Sequence, residues 1–129
     1  MWKYALVSVA LLATPVSAEV VSHPPGCPKR LFCGCGVSVE IFGRPIRELF
    51  LARNWFRFPR AEAAPGMVAV RRHHVMAIRA VDANGNVVVY DPNSGGRKTR
   101  IHTRSLKGFV VVNPRASIDR TLATLPAVN

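Results

Sequence analysis

Residues 67 to 90 read Met67-Val-Ala-Val-Arg-Arg-His-His-Val-Met-Ala-Ile-Arg-Ala-Val-Asp-Ala-Asn-Gly-Asn-Val-Val-Val-Tyr90. Three runs in this stretch, Met67 to Val70, Val75 to Val81 and Val87 to Tyr90, are rich in β-branched residues. Asp82-Ala83-Asn84-Gly85-Asn86 joins the last two. Asn-Gly is the strongest short hairpin signal, because both residues tolerate positive φ. A three-stranded antiparallel sheet follows. Downstream, Asp91 to Lys98 is a polar, glycine-containing loop, Thr99 to Arg104 a weaker strand and Phe109 to Val112 a further short one. The sheet is therefore expected to have four or five strands.

Upstream of the sheet the pattern changes. In Gly34 to Gly43, Val37, Ile41 and Phe42 fall on one helical face, which predicts a short helix stopped by Gly43. Pro45 opens a second helix, with Ile46, Leu49, Phe50 and Arg53 on one side and Trp55 and Phe56 closing it; Pro59 and Pro65 end the helical region. Residues 19–32, with His23-Pro24-Pro25-Gly26 and Cys27-Pro28, read as a loop or extended arm. The expected fold class is α+β, with N-terminal helices packed on a four- to five-stranded antiparallel sheet.

Residues 1–18 carry Lys3, an apolar run from Ala5 to Ala13 and small residues at Val16-Ser17-Ala18, the pattern of a cleavable signal peptide. The apolar run is short of the roughly 20 residues that span a bilayer. The reading is a secreted or periplasmic protein cleaved near Ala18, with one domain over 19–114 and a loosely held tail over 115–129. Eighteen basic and seven acidic residues give a net charge of +11. Such a balance favours anionic partners, and in an exported chain these are envelope polymers rather than nucleic acid. A basic surface also serves plain solubility. Oligomeric state is not legible.

Export gives the cysteine count its meaning. Cys27, Cys33 and Cys35 cannot all pair within one molecule, so one disulfide leaves one thiol. Cys27 can reach either of the others across a short loop. Both Cys33 and Cys35 lie at the start of the expected helix, where the helix field and free amides favour a thiolate. Cys33 is placed to cap the helix and Cys35 falls in its first turn. Gly34 and Gly36 would let a substrate backbone approach those amides. His73 and His74 point to opposite faces if both lie on a strand. His74 shares parity with Met76, Ile78 and Ala80, the cleaner apolar face, and is the one expected to turn toward the helix and its thiol. Asp91 and Asn93, beside the end of the neighbouring strand, are candidates to orient its imidazole. His23 and His102 lie in less patterned stretches and carry no comparable case. Zinc binding by Cys33, Cys35, His73 and His74 is disfavoured, since Cys-x-Cys is tighter than structural zinc spacing. No metal or cofactor is expected.

Gly66-Met67-Val68-Ala69-Val70, then His74-Val75-Met76-Ala77-Ile78, a hairpin and Asp91-Pro92-Asn93 resemble the motif order of the CHAP and NlpC/P60 families of papain-like amidases and peptidases. Leu51-Ala52-Arg53-Asn54-Trp55 is similar to a stretch that often precedes it in CHAP domains. The likeness runs from about Leu31 to Pro114. It implies a papain-like fold, cysteine as nucleophile, histidine as base and a polar orienting residue, and cleavage of an amide bond such as those of cell-wall peptide. Carried over by motif, these roles fall to Cys33 or Cys35, His74 and Asn93, with Asp91 assisting. Met67 stands where the families carry an acidic residue, and Arg72-His73 where a small residue precedes the histidine.

Overall fold

A computed structural model describes residues 18–116. The expected signal peptide, up to its last residue, and the expected tail beyond Ala116 lie outside the described residues. The chain forms a small α+β domain: strand β1 (Glu19–Val21), helix α1 (Cys33–Phe42), two 3-10 helices (Arg47–Leu49 and Ala52–Arg57), then strands β2 (Val68–Arg71), β3 (His74–Val81), β4 (Val87–Asp91), β5 (Thr99–Arg104) and β6 (Val110–Val112). All six strands join one antiparallel sheet in the order β1-β5-β4-β3-β2-β6. The expectation of four or five strands falls short by β1. Only three residues long and next to a proline-rich segment, it is a strand solely because β5 offers its edge to it. No helix among the described residues is long and apolar enough to cross a membrane.

The sheet is covered on both faces. Val68, Val70, Val75, Ala77 and Tyr90 pack with Val37, Leu49, Trp55 and Phe58 from the helical layer. Ala69, Met76, Ile78, Val87 and Val89 form a second cluster, against which Met67, Leu106 and Phe109 pack. Strand alternation sends neighbouring residues into opposite clusters, and burial on both sides explains why these strands read as nearly continuous apolar runs. Each fully buried Leu, Val or Phe in them stabilises the fold by about 1.5–3 kcal/mol.

Helix α1 is a poor helix by propensity. It contains Gly34, Gly36 and three β-branched residues, and each glycine costs about 1 kcal/mol relative to alanine. Tertiary contacts hold it instead. The Cys27–Cys35 disulfide ties its first turn to the N-terminal arm, a cross-link worth about 2.5 kcal/mol for a loop this short in the chain-entropy description. The Ser38 hydroxyl donates to the Arg44 carbonyl and accepts from the Ile46 amide, both at 2.8 Å, fastening the turn that leaves the helix. As expected, Gly43 ends the helix, adopting φ 76° and returning its amide to the Val39 carbonyl.

The second expected helix is broken in two. Leu51 is extended (φ −80°, ψ 123°), and side chains take carbonyls that a continuous α-helix would have used internally. Asn54 Nδ2 donates to the Glu48 carbonyl at 2.7 Å and Trp55 Nε1 to the Leu49 carbonyl at 2.8 Å. The apolar spacing was real, but side-chain competition for backbone groups decided the conformation.

Candidate active site

Cys33 is the first residue of α1 and carries the free thiol among the described cysteines. Cys35, the other candidate nucleophile, is committed to the disulfide with Cys27. Two residues along a helix turn the side chain by roughly 200°, so Cys35 faces the arm and Cys33 faces the sheet. Phe32, the residue before the helix, supplies no side-chain cap, and no acidic residue occupies the first turn. The first amides of α1 are left without intrahelical partners, the usual state of a helix start. The first bond of the ladder runs from the Gly36 amide to the Phe32 carbonyl.

Gly34 and Gly36 are required by close packing. A Cβ on Gly34 would lie 2.2 Å from the Leu49 carbonyl oxygen and 2.3 Å from that of Phe50. A Cβ on Gly36 would lie 2.4 Å from Pro92 Cβ. The glycines let the chain pack on itself, Gly34 under the 3-10 segment and Gly36 against the residue that follows Asp91. In this way Cys-Gly-Cys-Gly fixes the thiol relative to the end of β4.

His74 opens β3 directly after the two-residue turn Arg72-His73, and its side chain is 11% exposed. Cys33 lies near enough to the His74 imidazole to help raise the pKa of that ring. Its Nε2 is 2.5 Å from Oδ1 of Asp91, so Nδ1 is the nitrogen left for the thiol. Strand parity, from which the pairing of His74 with the thiol was expected, is not what brings them together. Val75 and Ala77 lie in the cluster that contains α1, while Met76 and Ile78 lie in the opposite one. His74 meets Cys33 because it is the first residue of its strand. His73 is in the turn rather than on a strand, and it lines the same cavity as Cys33.

Asp91 ends β4 and is fully buried. Besides His74, its Oδ2 accepts from His102 Nε2 at 2.7 Å and from Arg104 at 3.0 Å. Asn93, expected as the main orienting residue, makes no hydrogen bond to His74. Pro92 and Asn93 form a turn that leaves the strand, with Asn93 at φ 57°, and its half-buried side chain lines the cavities around the site. His102 and Arg104 were not singled out in the sequence. Both lie on β5 opposite Val89 and Val87, and Arg100 lies opposite Asp91, so His102 is the diagonal neighbour of Asp91. Alternation in Arg100-Ile101-His102-Thr103-Arg104 was the available signal, and it needed the β4–β5 register to be read.

The charges of this cluster support one another. Burial alone would lower the pKa of His74, but the hydrogen bond with Asp91, the contact with Cys33 and the charge on Asp91 raise it to about 9. Burial alone would raise that of Asp91, but hydrogen bonds from His74 and His102 and the charge on His74 hold it well below the usual carboxylate range. The stability that His74 contributes is therefore complete below its ordinary pKa of about 6.5 and is lost as pH rises through about 9. For Asp91 the sign reverses: its contribution is present above about pH 3.9 and is lost as pH falls. The thermal midpoint is expected to hold between about pH 4 and 6.5 and to fall between pH 7 and 10. In His74→Gln the fall from pH 7 to 10 should be much smaller; equal falls in the two proteins would contradict the assignment.

Cys33 lies in a cavity of about 210 Å³ walled by Leu31, Phe50, Leu51, Arg53 and His73. Leu31 stands at φ 48° with its side chain 83% exposed, an unfavourable conformation for a leucine that holds an apolar lip beside the thiol. A second cavity of about 410 Å³ is lined by Arg71, His74, Ser94, His102 and Arg104. Asn93 lines both. No family model matches the chain, and neither a curated protein sequence nor a solved structure matches it. What the fold and site define is a class by geometry: an α+β domain that sets a helix-borne thiol beside a histidine held by a buried aspartate.

Proposed function

We propose that the protein is an exported thiol hydrolase of papain-like type that cleaves an amide bond in cell-wall peptide. The observation that carries this reading is the free thiol of Cys33 at the start of α1, beside a histidine whose other nitrogen is fixed by Asp91. The resemblance to the CHAP and NlpC/P60 motif order supports the same reaction. In the proposed route the Cys33 sulfur attacks the carbonyl carbon as thiolate, its proton residing on His74. The oxyanion forms within reach of the free amides at the helix start. Protonated His74 gives its proton to the departing nitrogen, leaving a thioester on Cys33. A water then loses a proton to His74 as it attacks the thioester, releasing a carboxylic acid and restoring the thiol. Asp91 is a positioning residue, acting through His74.

Incubation of the purified protein with isolated peptidoglycan tests the reading by the appearance of new amino and carboxyl termini. Cys33→Ser, or prior alkylation with iodoacetamide, is expected to reduce release to background. Undiminished release in Cys33→Ser would sink the mechanism.

A second reading, a non-catalytic basic module of the same shape that binds an anionic envelope polymer, is favoured by one observation. Arg30, Arg53, Arg71, Arg72 and Arg97 line the cavities and have no acidic partner among the described residues. Salt-sensitive sedimentation with wall material that survives both Cys33→Ser and His74→Ala, without turnover, would favour it.

A further inference from the structure

The 410 Å³ cavity is built differently from the one that holds the thiol. Its polar groups are overwhelmingly donors. Arg71 sits 4.8 Å from the centroid of the Phe109 ring and Arg104 5.4 Å from it, so one aromatic ring orients two guanidinium groups that line the same cavity. Among the described residues no acidic side chain lines it; Asp91 bonds to lining residues from within. It is fully buried behind the lining and already engaged by His74, His102 and Arg104. Arg71 has no acidic partner among the described residues. Ser94 adds a hydroxyl, 3.4 Å from His102 Nε2. The loop that brings Ser94 here is pinned by Arg100, which donates to the carbonyls of Ser94 and Gly95 at 2.5 and 2.7 Å.

We infer that this cavity is a subsite for a carboxylate of the substrate, held by Arg71 with Ser94 and His102, while the scissile carbonyl lies over Cys33. The inference rests on the hydrolase reading above and adds to it the substrate class, an acidic acyl or peptide amide. Asn93 is shared by the two cavities, so a ligand that spans them passes this side chain. The planar fork of a guanidinium matches a carboxylate with two parallel hydrogen bonds, and a fork already oriented by stacking loses little freedom on binding. The protonated imidazole of His74 on the same wall adds to the positive field.

Two alkylating reagents that differ only in charge test the assignment on the full chain: N-bromoacetyl-glycine and N-bromoacetyl-glycinamide. Each is attacked by the Cys33 sulfur with loss of bromide to form a thioether. At low ionic strength the acid is expected to alkylate Cys33 about tenfold faster than the amide, a ratio that 1 M salt compresses. Arg71→Gln should bring the ratio close to one. Arg57→Gln, the same charge change outside the cavity lining, should preserve it. Equal rates for acid and amide, with alkylation still dependent on His74, overturn the subsite and leave the hydrolase reading standing. A ratio unchanged by Arg71→Gln also overturns it. Alkylation by both reagents that is indifferent to His74→Ala overturns the hydrolase reading itself, and the subsite with it.

Discussion

Asp91→Asn is expected to lower hydrolysis by about 10²- to 10⁴-fold, the range spanned by general acid–base catalysis, and to cost the fold about 3 kcal/mol. Three donors, from His74, His102 and Arg104, converge on a carboxylate with no exposure. An amide offers one acceptor where the carboxylate offers two and turns its own N–H₂ toward groups that can only donate. Removing one partner of a buried charge network typically costs 3–5 kcal/mol. The lower end applies because the side chains of His102 and Arg104 keep 21% and 26% of their exposure and recover some hydration. For a domain of about 100 residues this is a fall in Tm of roughly 12–24 °C. A purely structural role for Asp91 would lower stability without altering how activity depends on pH. Its role in orienting His74 predicts that the basic limb of the pH profile moves down from about 9 toward the ordinary histidine range. Residual activity in the variant with an unshifted basic limb would remove Asp91 from the mechanism.

Gly34→Ala is expected to destabilise the domain by about 3 kcal/mol or more, the upper part of the overpacking range. The new Cβ would meet two carbonyl oxygens at 2.2 and 2.3 Å and the Phe50 carbonyl carbon at 2.6 Å. All three are backbone atoms, in a segment already fixed by the side-chain bonds of Asn54 and Trp55. Either the 3-10 segment or the start of α1 must move, and the latter carries Cys33. Gly43→Ala is the informative control. Gly43 has open space where a Cβ would stand, and its cost comes from its φ of 76° alone, about 1–2 kcal/mol. Thermal unfolding of the two variants separates close packing from backbone strain. A Gly34→Ala protein no less stable than Gly43→Ala would show that the contact relaxes freely.

The parts of the fold that local chemistry controls were legible in advance. The β-branched runs on either side of Asn84-Gly85 specify β3 and β4, because the strand preference and the turn are both encoded within a few residues. Gly43 stops α1 for an equally local reason. The broken second helix was hidden, since its apolar spacing is helical and only the capture of the Glu48 and Leu49 carbonyls by Asn54 and Trp55 interrupts it. The loop 92–98 between β4 and β5 hid the site in the same way: its length does not fix how the two strands align, and the alignment alone brings His102 and Arg104 to Asp91.

The amino-acid sequence by itself determined that three cysteines leave one thiol after a single disulfide, that a thiol stands at a helix start, and that His74 and Asp91 flank a hairpin. These follow from counting, periodicity and turn chemistry. Tertiary structure decided which cysteine is free, which carboxylate holds the histidine and why the glycines are there. Each depends on groups distant in the chain meeting within a few ångströms: Cys35 facing the arm that carries Cys27, Gly36 closing on Pro92, and β5 sliding into register with β4. A pattern of residues sets which faces are apolar, but only packing sets which of them meet.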